Sequence, residues 1–257
     1  MPVTALDEAE RILREADTRG VTLRLLGGIA ILRRCPSSRA GVLVRLNPPD
    51  IDFAGLKEEN ARIKEIFESL TYRPNQGFNA LHGYKQLMFY GPDGQPKVDV
   101  FLDEFAMCHR LDLRPRLRLA QDTLPLADLL FTKLQIVQIN EKDVKDIIAL
   151  LLDHPVDATS GEDSVDGGYL ADLAGRDWGI YTTLTDNLEK VRQFLPAFRL
   201  DEASVGTVQA AIATLRSLLD RAPKSVGWRI RAKVGRRMAW YELPEAPKAI
   251  HLGQGPP

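Results

Sequence analysis

Residues 47–55 read NPPDIDFAG, and they place two aspartates, Asp50 and Asp52, on either side of an isoleucine just beyond a Pro48-Pro49 corner. In an extended strand, residues i and i+2 project from the same face, roughly 6–7 Å apart. At an effective dielectric of about 20, two carboxylates at that spacing repel by on the order of 2 kcal/mol. A divalent cation removes that repulsion, because it accepts oxygen from both carboxylates and from substrate phosphates. The plain alternative is a pair of solvated turn residues after two prolines, where aspartate is common.

The flanking sequence supplies further parts. Residues 21–28, VTLRLLGG, form a strand-like run into a glycine pair, and residues 29–35, IAILRRC, continue as a short helix ending before Pro36. Gly27 and Gly28 at such a junction let backbone N–H groups approach a phosphate at the positive end of the helix, although tight packing alone also explains a glycine pair. Residues 36–41 read as a loop and residues 42–46, VLVRL, as a second extended run; residues 56–70 carry Ile63, Ile66, Phe67 and Leu70 on one helical face. Downstream, YKQLMFY (84–90) and KVDVFLD (97–103) flank the turn sequence GPDGQP, which predicts a hairpin.

Asp99 lies between Val98 and Val100, and alternation puts it on one face with Phe101 and Asp103. A solvent-facing aspartate on an antiparallel strand is ordinary. A third carboxylate beside the first two would instead complete a two-metal site for phosphoryl transfer. Residues 110–119, RLDLRPRLRL, suggest further extended structure. Two helical patterns follow, at 125–139 and 141–154. Lys133 borders the apolar face formed by Leu129, Leu130, Leu134 and Val137, a position from which its ammonium can meet a triphosphate. Asp128, Lys142, Asp143 and Asp146 have spacings that helical salt bridges also explain.

The order LLGGIAIL, RLNPPDIDFAG, KVDVFLD resembles the nucleotidyltransferase superfamily that includes DNA polymerase beta: a glycine pair at a helix start, a D-x-D on the next strand, and an acid on a later strand. The continuation LPLADLLFTKLQ, EKDVKDIIALL is similar to bacterial abortive-infection (AbiEii-like) nucleotidyltransferases. The resemblance covers residues 21 to about 152. It implies an α+β nucleotidyltransferase fold, a mixed sheet flanked by helices, with a mainly helical C-terminal region. It also implies that Gly27 and Gly28 bind phosphate, that Asp50, Asp52 and Asp99 hold Mg²⁺ or Mn²⁺, that Lys133 contacts the nucleotide, and that Arg45 is the arginine often found before the D-x-D. Two departures stand out: a long gap between Gly28 and Asp50, and glycine where the motif often has serine.

The remaining sequence sets the surroundings. A core unit over 1–124 and a helical unit over 125–257 are expected, with an acidic connector at 153–168 and a loose tail from Pro244. Residues 224–241 contain Lys224, Arg229, Arg231, Lys233, Arg236 and Arg237 without an acid, bracketed by Trp228, Trp240 and Tyr241. Such a run suits a phosphate-rich acceptor such as RNA, or else packs against the acidic 157–172 segment. A net charge of −1 excludes a globally basic nucleic-acid binder. The two cysteines, Cys35 and Cys108, are too few for a disulfide scaffold. The first twenty residues lack a signal-peptide core, and no window reaches the roughly twenty apolar residues of a membrane span, so a cytoplasmic location is expected. The expected activity is metal-dependent transfer of a nucleoside monophosphate from a nucleoside triphosphate to an acceptor hydroxyl on RNA, on a protein (as in toxin–antitoxin pairs) or on a small molecule. The alternative is a non-catalytic nucleotide-binding or protein-interaction module.

Overall fold

The computed structural model of this chain describes residues 4–39, 41–44, 50–159, 161 and 163–243. It begins with helix α1 (Ala5–Thr18), where the Thr4 hydroxyl accepts from the Asp7 N–H and the Asp7 carboxylate accepts from the Thr4 N–H. This reciprocal cap satisfies two N–H groups that would otherwise lack partners. The chain turns at Gly20, whose φ of +61° is favourable for glycine, and enters strand β1 (Leu23–Leu26) and helix α2 (Gly27–Arg34).

Strand β2 (Asp50–Gly55) follows, then α3 (Asn60–Ser69), β3 (Arg73–Pro74), α4 (Gln76–His82), β4 (Gln86–Tyr90) and β5 (Lys97–Leu102). The sheet order is β1-β2-β5-β4-β3, with β2 and β5 parallel and the other neighbours antiparallel. The fold is therefore α+β around a mixed sheet, as the sequence predicts. One face is apolar: Ile51, Phe53, Leu87, Phe89, Val98 and Val100 are all fully buried, together with Ile63, Ile66 and Phe67 of α3. The opposite face carries Asp50, Asp52, Lys97, Asp99 and Gln86. The twofold alternation along each strand thus assigns the core to one side and the chemistry to the other.

Beyond the sheet lie a short pair, β6 (Glu104–Ala106) and β7 (Arg110–Asp112), and the helices α5 (Leu126–Leu134) and α6 (Glu141–Asp153). The acidic connector is not featureless: β8 (Val156–Asp157) and β9 (Val165–Asp166) pair in parallel within it. Helices α7 (Gly167–Arg176), α8 (Trp178–Phe194), α9 (Glu202–Arg221) and α10 (Val226–Val234) make the C-terminal region mainly helical. Asp166, Asp177, Asp201 and Ser225 cap them through their side chains. Every residue of α5 is buried, and one apolar cluster runs from Ala9 to Leu219.

Four local expectations need correction. Val42 and Leu43, expected to open an extended run over 42–46, belong instead to a 3-10 turn over Gly41–Leu43, and the rest of that run falls largely outside the described residues. The strand expected near 110–119 stops at Asp112, because Asp112 turns back to accept from the Arg114 backbone and side chain. Asp103 leaves the face of Asp99: its φ is +64°, and its carboxylate accepts from the Lys57 N–H at 2.9 Å. Helix α4 has no clear apolar period and was not foreseen. Asn75 caps it, and Asn79 holds it to β4 by exchanging two hydrogen bonds with the Met88 backbone.

The buried face depends on aromatic stacking. The rings of Phe67 and Phe89 lie 4.2 Å apart at 14°. Phe89→Ala should therefore destabilise the protein by about 3–5 kcal/mol in urea denaturation, the range for an aromatic removed from a packed core; a loss below about 1 kcal/mol would contradict this account of the core.

Candidate active site

The parallel register of β2 and β5 sets Asp52 directly beside Asp99, and Asp50 beside Lys97. Neighbouring strands are only about 4.8 Å apart. Asp52 is also the register partner of Leu26 at the end of β1, so the turn into α2 lies over its carboxylate. Gly27 has φ +67° at that turn. A Cβ built there would overlap Asp52 Oδ2, and would lie 3.1 Å from its Cγ and 3.3 Å from its Cβ. Both the dihedral and the space demand glycine. The first glycine of the pair and the second aspartate of the D-x-D, 25 positions apart in the chain, are thus in contact.

Lysines balance the crowded carboxylates. Lys97 Nζ lies 2.8 Å from Asp99 Oδ2, and Gln86 Nε2 donates to Asp99 Oδ1 at 3.0 Å. Burial works against the Lys97 ammonium, but its hydrogen bond and charge pairing with Asp99, helped by Asp50 and Asp52, hold its pKa above the usual lysine value. Burial first and the Asp99 charge second push the Asp52 carboxyl up to about 6; Asp50 adds to the rise, while Lys133 and Lys97 oppose it. Neither Gln86 nor Lys97 was singled out from the sequence. Lys97 alternates with Asp99 on its strand just as Asp50 does with Asp52, and that parity was the available signal.

Lys133 is buried at the C-terminal end of α5, with its ammonium 2.8 Å from Asp146 and 3.4 Å from Asp143. The carboxylates on α6 therefore pair between helices. Asp143 also caps its own helix in partnership with Asn140. The end of α5 is fixed in turn by α8: Asn187 Nδ2, fully buried, donates to Leu134 O at 2.7 Å and Ile136 O at 2.8 Å. Lys133 is held among acids, yet its charge still bears on Asp52. Arg45 lies outside the described residues.

The donor set is hard carboxylate oxygen, the chemistry suited to magnesium or manganese. Among the described residues no three His, Cys, Asp or Glu side chains are drawn up as a finished cage. Magnesium does not need one, since one or two carboxylates suffice when water and substrate phosphates complete the shell. Asp52 and Asp99 fit that requirement: they are direct neighbours in the parallel register, and both offer hard carboxylate oxygen.

The basic segment sits elsewhere, on the C-terminal helices. Arg231 donates to the carbonyls of Gly235 and Met238 and stacks on Trp178, while Arg236 pairs with Asp186 at 2.7 Å and stacks on Trp240. Lys224 faces the rings of Tyr181 and Trp228. The segment packs on α8 and meets the end of α7, where the Ser225 N–H donates to Gly175 O at 2.9 Å. Arg229, Lys233 and Arg237 make no ion pair among the described residues. Cys35 and Cys108 are free and buried, as expected.

No protein-family model matches this sequence, and no curated protein matches it. Solved structures with partial similarity include the following two. One is the solution structure of the antibiotic-resistance factor ANT(2'')-Ia, with 15% identity, a TM-score of 0.39, and coverage of 58% of this chain and 84% of that one. The other is the crystal structure of an antigenic nucleotidyltransferase-like protein from Paracoccidioides brasiliensis, with 13% identity, a TM-score of 0.39, and coverage of 88% and 98% respectively.

The Asp52 shift has a consequence for stability. Its folded pKa of about 6 lies above the ordinary 3.8, so between those values the folded state holds more protons than the unfolded one. Stability from this group is full at low pH and falls as pH rises through about 4 to 6. At about pH 7 the loss is on the order of 3 kcal/mol. Asp52→Asn should therefore stabilise the metal-free protein in urea denaturation at about pH 7, and the gain should vanish below about pH 4. Equal or lower stability of the variant at neutral pH would contradict the crowding argument.

Proposed function

We propose that this protein is a metal-dependent nucleotidyltransferase that moves a nucleoside monophosphate from a nucleoside triphosphate to an acceptor hydroxyl on RNA, on a protein or on a small molecule. The observation that carries this reading is the contact of Gly27 with Asp52 while Asp99 lies in register beside it. A phosphate-accepting turn and two carboxylates meet at one point on one sheet face. Helix α2 begins there with no side chain capping its N–H groups, which leaves its positive end to a phosphate.

In the proposed reaction the acceptor oxygen bonds to the α-phosphorus, the bond from that phosphorus to the bridging oxygen breaks, and pyrophosphate leaves. A divalent cation bound by the aspartates supplies neutralisation of the phosphate and of the developing charge. The Gly27-Gly28 turn orients the phosphates through backbone N–H groups. Asp52 and Asp99, with Asp50 on the same face, would hold the cation, and the Asp99 carboxylate would take the proton from the acceptor hydroxyl. Lys97, already seated on this face, and Lys133, behind Asp52, supply the positive potential that lets the acids and a polyphosphate share one place. The grip of Lys97 and Gln86 on Asp99 also favours a second reading, a nucleotide-binding module without turnover.

Incubation with labelled nucleoside triphosphates, Mg²⁺ and a cell extract should label an acceptor with the wild type and none with Asp52→Asn. A heat-unfolding shift with Mg²⁺ and nucleotide but no labelled product would favour the binding module, and full labelling by the variant would end the mechanism. Gly27→Ala should lower labelling by about tenfold or more, because a left-handed dihedral and an overlap with Asp52 each resist the added methyl. Wild-type activity in that variant would remove the glycine contact from the account.

A further inference from the structure

A polar cavity lies at the other end of α2. It encloses about 950 Å³ between the C-terminal end of that helix, the outer side of β1, the turn before α5, and the connector. Among the described residues that line it are six arginines, Arg24, Arg33, Arg34, Arg39, Arg116 and Arg118, against four acids, an excess of two positive charges. The proposed chemistry uses none of these groups.

The arginines differ in how they are engaged. Arg33 pairs with Glu10 at 2.5 Å and with Asp122; Arg34 pairs with Asp163 at 3.3 Å; Arg116 pairs with the buried Asp128 at 2.9 Å and stacks on Tyr169. The other three reach no carboxylate among the described residues. Arg24 donates only to the main-chain carbonyls of Ala120 and Leu23, and Arg39 only to those of Leu32 and Arg33. Arg118 makes no hydrogen bond or ion pair among the described residues. Burial, partly offset by the charges of Asp17, Asp122 and Glu59, lowers the Arg24 pKa.

A third group of donors opens on the same space. Leu126 and Ala127, the first two residues of α5, line the cavity together with Pro125 just before them. Pro125 is the residue before the first helical position and offers no side chain to cap the N–H groups that follow. The positive end of a nine-residue helix is thereby presented to the arginine wall.

We propose that this cavity is a binding site for a polyphosphate group, a chain of two or more linked phosphates such as inorganic polyphosphate or the tail of a nucleoside polyphosphate. Arginine forks match phosphate oxygens in pairs. A single small oxyanion would leave most of the cavity empty, whereas its volume falls within the roughly 300–1,000 Å³ of nucleotide-sized ligand pockets. Donors at three places, Arg24 with Arg39, Arg118, and the α5 N-terminus, call for several anionic groups on one ligand. The inference does not rest on the carboxylate chemistry.

The test uses the full chain with a chelator present, so that the aspartate face repels anions. Titration calorimetry with inorganic tripolyphosphate should show binding by the wild type with no divalent cation present. The double variant Arg39→Gln/Arg118→Gln, both exposed positions, should bind at least about tenfold more weakly, the loss of two charge-assisted contacts. Its circular dichroism should match the wild type; if it does not, Arg118→Gln alone replaces it, with about threefold or more expected. A nucleoside triphosphate that competes with tripolyphosphate would assign the source to a nucleotide tail; lack of competition would assign it to free polyphosphate. Absence of tripolyphosphate binding, binding indifferent to the arginine changes, or binding of a short RNA oligonucleotide alone would each overturn the proposal.

Discussion

Two carboxylates held side by side on parallel strands are the constraint around which this molecule is arranged. At roughly 5 Å and an effective dielectric near 20, Asp52 and Asp99 oppose each other by on the order of 3 kcal/mol. Nothing in strand geometry requires that. The surrounding structure answers it with Lys97 on the same sheet face and Lys133 on a buried helix, and Gln86 fixes the remaining oxygen of Asp99. The apolar face of the sheet supplies the rigidity that keeps the acids together, since its fully buried side chains leave the strands no alternative register.

That arrangement joins the two halves of the chain. Lys133 belongs to the helical region, and its position is set by Asp143 and Asp146 on one side and by Asn187 at the end of its helix on the other. Gln135 adds a further tie, accepting from the His109 N–H at 2.7 Å. A buried asparagine bonded to two carbonyls left open at a helix end is well satisfied, and it fixes the helix in place. The sheet brings the acids, and the helices bring the compensating charge.

The sequence made much of this legible because alternation and punctuation are local signals. DIDFAG and KVDVFL show their polar and apolar sides directly, and GPDGQP marks the turn that pairs β4 with β5. The parallel pairing of β2 with β5 is not local; it joins strands separated by α3, β3, α4 and β4, and only that pairing sets Asp52 against Asp99. The contact between Gly27 and Asp52 is also a matter of tertiary approach, invisible in a glycine pair read alone. Asp103 misled because alternation assumes a continuing strand, and the chain leaves the strand one residue earlier. The arginine cavity is assembled from five separate stretches, with no cluster dense enough to notice. Lys97 is legible as the residue that alternates with Asp99 on one strand, whereas Gln86 reaches Asp99 from the neighbouring strand and carries no such local signal.

The tryptophans have an optical consequence. All three, Trp178, Trp228 and Trp240, belong to the C-terminal helical layer, where Trp178 and Trp240 meet edge to face and arginines lie against both. The sheet contains none. Intrinsic indole emission therefore watches one half of the molecule, while far-ultraviolet dichroism watches both. Coincident melting curves from the two signals would mean that the helices and the sheet come apart together, and divergent curves would reveal a state in which one has loosened first.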